Sequence, residues 1–407
     1  MLTEFQESSI ARRRLILRDS LAILSLFLGT AVLFAVTLFL FRSFSAHRAD
    51  LAQRWSERGR AALQSGHPDQ AITALRTALS YAPGTRPYEL LLAEALGEAG
   101  HTDESYQYFM GLWDSEPGNG QVNLELARLA ARRKQRADAV NFYRAAIYGT
   151  WEGDGVTRRV DTRLELSRYL IATHDLPAAR LELLIAGGNA PDDFDRDMTI
   201  GSLLEQAQDP TDAWTYYLRA SAAKPGDPAA NEAAGRLAYN FGDYESAEHM
   251  LERARAERAE SHTVSPQEAA DRTMLENATR ILELMPAPSL PARDRVERIL
   301  TARSIAKKRF DSCSASFPAP SPLPPALQAL QARWIGPIAT QPAAALLRDS
   351  SQQETTMQLV YDTEVRSAEL CGRPAGDDAL LLLLAAAPHV TPLPLLEKSA
   401  HAEVPRD

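Results

Sequence analysis

The stretch SGHPDQAITALRTALSYAP, Ser65 to Pro83, places Ala71, Ala74 and Ala78 where a solitary surface helix would carry larger apolar side chains. Proline ends it, because proline lacks the N–H that would continue the helix. A helix this thin on one side makes sense where a second helix crosses it closely. Such a crossing would be one part of a repeated unit, so the same spacing should recur along the chain.

It recurs. Ala71 is followed at steps of 34 residues by Ser105 and Ala139, and Leu75 by Phe109 and Tyr143. Pro83 and Pro117 keep the same step. After an insertion at Trp151 to Gly155 the phase resets, and Ala179, Ala213 and Ala247 step by 34 again, with Leu183, Tyr217 and Leu251 behind them. A second small-residue row lies twelve positions earlier: Gly59, Ala93, Ala127, Ser167, Gly201 and Gly235. Apolar residues flank it at helical spacing, as Leu92 and Leu96 flank Ala93. Each unit therefore reads as two helices, separated by turn signals such as SGHPD, AGHTD and QDPTD. Pro68, Pro177 and Pro210 fall in the first turn of the second helix, where a missing N–H costs nothing. Six units are counted, at about 52–85, 86–119, 120–153, 160–193, 194–227 and 228–260.

This pattern resembles the tetratricopeptide repeat family, a 34-residue helix–turn–helix unit written W-x2-L-G-x2-Y, then A-x3-F, then P. The first unit shows Trp55, Gly59, Ala71, Leu75, Ala78 and Pro83, and departs at Arg58 and Ala62. The resemblance covers roughly half of the chain and says nothing of residues beyond 260. It implies an all-α, helical-hairpin solenoid whose first helices line a concave groove, in a family of mostly non-enzymatic scaffolds. It also implies that the position after the first small row faces that groove: Arg60, Glu94, Arg128, Arg168, Ser202 and Arg236. Neighbouring groove positions carry Leu124, Leu164 and Tyr239. Arginine forks pair with carboxylates. The expected ligand is thus an extended acidic–apolar peptide held by Arg60, Leu124, Arg128, Leu164, Arg168, Arg236 and Tyr239.

A short basic tail, residues 1–19, precedes an uncharged run from Ser20 to Phe41. At helical rise the run reaches roughly 30 Å, the thickness of a bilayer core. It reads as one uncleaved transmembrane anchor, residues 20–42; a cleaved signal peptide, with Ser43 to Ser45 as its small-residue site, is the rival. The tight cluster Arg12, Arg13, Arg14 and Arg18 favours a cytoplasmic N-terminus, which places the repeats on the extracytoplasmic, periplasmic side.

Beyond the repeats, residues 265–387 read as further helices joined by proline-rich linkers, PAPSLP and SFPAPSPLPP. The apolar segment Ala379 to Ala387 is too short to span a bilayer and suits a cap on the open end of a solenoid. A disordered tail, 388–407, is expected. Cys313 and Cys371 each end a helix and could form a disulfide outside the cytoplasm, or remain two buried thiols.

The net charge of −9, with both signs interspersed, excludes a general nucleic-acid binder. Two cysteines cannot make a cysteine-cluster zinc site. His67, His101 and His174 share turn positions and read as exposed. The run DDFDRD, Asp192 to Asp197, lacks the glycine of a calcium loop and sits where a helix dipole favours acids. Hydrolase, metalloprotease, phosphate-loop and dinucleotide motifs are missing. No enzyme activity, metal or cofactor is expected. The leading reading is a membrane-anchored protein–protein scaffold for a membrane or envelope complex. The alternatives are a holdase for exported chains, which would bind heterogeneous clients, and a self-assembling structural protein.

Overall fold

The computed structural model describes residues 2–188, 193–258, 266–317 and 322–386. The tail expected from 388 lies outside them. The described residues contain helices and no strand, and the chain forms two compact units, Met1–Tyr169 and Leu170–Asp407.

In the first unit, α1 (Leu2–Gln64) runs without a break from the N-terminus through the apolar stretch into the first repeat. A separate anchor and first repeat helix are therefore one element about 95 Å long. The reason is local: residues 42 to 52, RSFSAHRADLA, contain neither proline nor glycine to interrupt it. Its apolar part is long and apolar enough to cross a membrane, and Leu24, Phe27, Phe39 and Phe41 are exposed. Farther along, Arg48 donates to the carbonyl of Tyr81 (2.7 Å) at the end of α2 (Pro68–Tyr81), so α1 is already docked six residues after the span. Next come α3 (Arg86–Glu98), α4 (Thr102–Ser115), α5 (Gly120–Arg132), α6 (Arg136–Tyr148) and α7 (Gly155–Ala172). The insertion before α7 folds back onto the start of α5: Gly120 N–H donates to Thr150 O and Thr150 N–H to Gly118 O, both 2.8 Å, while Trp151 Nε1 donates to Ala146 O.

The second unit holds α8 (Leu176–Gly188), α9 (Phe194–Gln206), α10 (Pro210–Ala223), α11 (Pro228–Phe241) and α12 (Tyr244–Glu257). It continues with α13 (Pro266–Leu284), α14 (Ala292–Ala315), α15 (Pro325–Ile335), a 3-10 turn, α16 (Ala343–Leu346), α17 (Ser350–Cys371) and α18 (Asp377–Ala386). The single helix expected from 343 to 370 is two, because the Asp349 carboxylate caps a new start by accepting from Ser351 N–H (2.9 Å). Below the last hairpin lies one continuous core in which Tyr244, Ile281, Ile299, Phe310, Trp334, Val360 and Leu381 are all buried. Cys313 and Cys371 are joined in a disulfide, with Cα atoms 5.7 Å apart, linking the ends of α14 and α17.

Both small-residue rows lie at helix crossings. Ala71, Ser105, Ala139, Ala179, Ala213 and Ala247 are each 0 % exposed. A Cβ at Gly59 would stand 2.6 Å from Leu75 Cγ, and one at Gly201 2.7 Å from the ring of Tyr217. Where serine replaces alanine, its hydroxyl crosses the hairpin: Ser105 Oγ donates to Ala93 O at 2.7 Å. The turns also repeat. One left-handed residue closes each first helix, at Gly66, Gly100, Lys134, His174, Gln208 and Gly242. Its N–H and that of the next residue reach back to the last-turn carbonyls, as Gln208 does to Glu205 O and Asp209 to Leu204 O.

Gly201→Ala should therefore destabilise the protein. The helix-propensity gain of about 1 kcal/mol is outweighed by overpacking of about 1–3 kcal/mol, because the Tyr217 ring is held by its hydroxyl and cannot yield. The denaturation midpoint in detergent should fall; an unchanged or higher midpoint would mean the hairpin is looser than described.

Candidate functional site

The first helices of the first-unit hairpins present the face on which Arg60, Leu124, Arg128, Leu164 and Arg168 were expected. Arg60 on α1 and Arg168 on α7 are exposed, and neither holds an ion pair among the described residues. Leu124 on α5 is half-buried. Leu164 is buried (7 % exposed) along with Val160, Leu166 and Leu170 of α7, so it serves the core instead of a ligand.

Arg128 corrects the expectation of an open arginine ladder. Its Nε and Nη2 donate to the two oxygens of Glu165 on α7 (2.8 and 2.7 Å), and its Nη1 donates to Glu125 on its own helix (2.6 Å). The Tyr143 hydroxyl on α6 donates to Glu165 at 2.9 Å. Burial pushes the Glu165 carboxyl up, but the Arg128 hydrogen bonds, the Arg128 charge and the Tyr143 hydroxyl outweigh it and hold the group below the usual range. Burial, followed by the Glu165 charge, pushes the Tyr143 hydroxyl well above its ordinary value. At neutral pH the cluster is thus an ionised carboxylate held by a guanidinium fork and a phenol.

Beside it, α3 and α5 enclose a cleft of ≈ 240 Å³. Its floor includes Ala93, Phe109 and Leu129, and its rim carries Glu94, Glu98, Glu125, Arg128 and Arg132. Glu94 accepts from Gln121 Nε2 (2.8 Å), and Arg132 donates to Gly97 O (2.9 Å). Burial, and next the Glu125 charge, raises the Glu94 carboxyl. Glu125 is raised by its own burial against the pull of Arg128. The cleft is therefore apolar below and mixed in charge above, with three carboxylates to two guanidinium groups.

In the second unit the expected residues are also committed internally. Arg236 on α11 donates through Nη2 to both oxygens of Glu205 on α9 (3.0 and 2.9 Å), and Tyr217 on α10 donates to the same carboxylate at 2.7 Å. Tyr239 is half-buried, meets Tyr244 edge-on at 5.5 Å and packs on the C-terminal core. Sequence reasoning missed the partners Glu165, Glu205, Tyr143 and Tyr217. The tyrosines stand at the repeat's aromatic position, and Glu125 precedes Arg128 by three residues; that local spacing was the only available signal.

Among the described residues no group of three or more His, Cys, Asp or Glu side chains could hold a metal ion. His67 and His101 occupy helix N-cap positions, and His174 is a left-handed turn residue. Asp193 caps α9 by accepting from Arg196 N–H at 2.9 Å.

Residues 56–109 match the tetratricopeptide repeat family model. Among solved structures, the chain is similar to PilF of Pseudomonas aeruginosa, at 16 % identity over 56 % of this chain and 99 % of that one, with a TM-score of 0.39. It is similar to PilW, described as a widely conserved type IV pilus biogenesis factor, at 14 % identity over 54 % and 97 %, with a TM-score of 0.39. A third is the C-terminal part of a TPR repeat-containing protein from Cytophaga hutchinsonii, at 12 % identity over 79 % and 96 %, with a TM-score of 0.41. No curated protein matches the sequence.

The Arg128–Glu165 pair is part-exposed (38 and 30 %), so its strength is discounted for solvent. A double-mutant cycle with Arg128→Ala and Glu165→Ala should give a coupling of about 1 kcal/mol. The more exposed Arg54–Asp50 pair should give less. Because the Glu165 carboxyl is held low, the coupling should be present above the ordinary glutamate range and vanish as pH falls through the depressed value. A coupling equal to that of Arg54–Asp50, or unchanged in acid, would contradict the assignment.

Proposed function

We propose that this chain, whose hairpins are tetratricopeptide repeats, is a membrane-anchored scaffold that holds an extended segment of a partner protein on the first-helix face of its first unit. The observation that carries the reading is the combination on that face of an apolar-floored cleft with two exposed, uncommitted arginines, Arg60 and Arg168. Folded hairpins satisfy their own backbone groups, so this face can only recruit through side chains. Apolar side chains of the partner enter between α3 and α5. Its carboxylates meet Arg60 and Arg168, and its amide or basic groups meet Glu94 and Glu98. A purely acidic segment is less well served than a mixed-charge one, since the Arg128 fork already holds Glu165.

The continuous α1 supports a role at the membrane. It links the apolar stretch to the first hairpin with no flexible spacer, confining the binding face near the bilayer and raising its effective concentration toward membrane partners. Such an arrangement suits assembly of a membrane or envelope complex. The basic cluster before the span favours an N-terminus in the cytoplasm. The Cys313–Cys371 disulfide agrees with repeats on the oxidising, extracytoplasmic side.

The test is photo-crosslinking in intact cells from positions 60 and 168, with Arg144 on the exposed side of α6 as control. One dominant protein captured from 60 and 168 and not from 144 is the expected result. Equal, diffuse capture from all three positions would overturn the reading.

A further inference from the structure

The C-terminal core of the second unit contains a carboxyl group with no counter-ion of its own. Glu364, in the middle of α17, is 0 % exposed, and neither of its oxygens has a hydrogen-bond partner. Beside it are two further orphaned acceptors, Ser367 Oγ on the same helix and Asp378 Oδ1 in the first turn of α18. An unpaired buried carboxylate is among the costliest groups a fold can carry.

The charged groups around it do not supply the missing donor. From α14, Arg309 spends Nη2 on the carbonyl of Gly372 (2.6 Å), and its Nε is unpartnered. From α13, Arg280 is committed to Asp377 through Nε and Nη2 (2.9 and 2.7 Å) and to Glu283. From α15, Arg333 is bound to Asp362 (2.5 Å). Asp377 and Asp378 of α18 add only negative charge. A metal ion would find two carboxylates beside a guanidinium, too few ligands and the wrong neighbour. A proton fits: placed on one carboxyl, it converts an orphaned acceptor into a donor toward the other and removes one of two like charges.

We propose that a proton held between Glu364 and Asp378 is the latch that docks α18 onto the C-terminal core, and that its loss in mildly alkaline conditions releases α18. The geometry around the latch suits a local movement. The disulfide at Cys371 pins the end of α17 to α14, so motion begins after it. The connector to α18 is bounded by Gly372 and Gly376, both left-handed (φ 87° and 58°). What α18 contributes to the core is small, chiefly Leu380 and Leu381.

Burial, and next the Asp378 charge, pushes the Glu364 carboxyl up to about 8; burial also raises Asp378. When α18 leaves, Glu364 is solvated and returns toward the ordinary glutamate value. The docked state therefore binds the proton more tightly than the released one. Its advantage is fully present below about pH 4.5, falls as pH rises, and is lost above about 8.

Hydrogen exchange of the full-length protein in detergent micelles, corrected for intrinsic rates, tests this. Opening of residues 377–386 should rise at least about tenfold between pH 6 and pH 8, one proton being worth up to about tenfold per pH unit. The α9–α10 hairpin should not follow it. Glu364→Gln, a neutral isostere, should keep α18 protected and flatten its pH response, and Asp378→Asn should flatten it independently. Protection of α18 that is constant from pH 6 to 9, or a pH response that both variants retain, would overturn the proposal.

Discussion

The close crossing of two helices depends on what is not there. At Gly59 and Gly201 the neighbouring side chain occupies the volume of a Cβ. At Ala71, Ala139 and Ala213 the methyl group is all that fits. Two backbones that approach this closely leave no latitude in the angle or register of a hairpin. The large residues of each unit then have one place to go, against the adjoining hairpin, which is how a unit that cannot bury its own face becomes stable in an array. The recurring left-handed turn serves the same end. It satisfies last-turn carbonyls in a fixed geometry, and even Lys134 and Gln208 accept a conformation that favours glycine.

Once the crossings are fixed, the first-helix faces are brought side by side, and the charged groups on them have to be reconciled. Each unit does this similarly. Arg128 and Arg236 bind a glutamate on another first helix, and a tyrosine from a second helix completes the carboxylate's shell. These clusters neutralise the positions that would otherwise make a uniformly basic surface. What remains for a partner is local: Arg60, Arg168 and the mixed cleft between α3 and α5.

The repeat was legible in the sequence because it rests on spacing. Gly59, Ala93 and Ala127 step by 34 residues whatever lies between them, and so do the alanines of the second row. The candidate site was less legible because pairing is a property of stacked helices. Arg128 and Glu165 are 37 residues apart, across an insertion that shifts the phase, so no fixed offset announces them. Leu164 looked like a groove residue by position, but α7 is a longer helix buried on more than one side. Tyr239 was read as open because nothing in the period foretells the helices after 260, whose core packs against it. That region has no repeat, and its break at Asp349 and its buried Glu364 follow from contacts that composition does not encode.

The central claim is that the hairpin crossings create the binding face. The most direct measurement is the yield of partner captured from position 168 in cells carrying Ala139→Leu, with membrane insertion of α1 followed in parallel. Ala139 is 0 % exposed on α6, and leucine there must push it away from α5. The account predicts that capture is lost while α1 still inserts. Undiminished capture with normal insertion would contradict it, placing the partner's contacts on features that do not depend on the stacked hairpins.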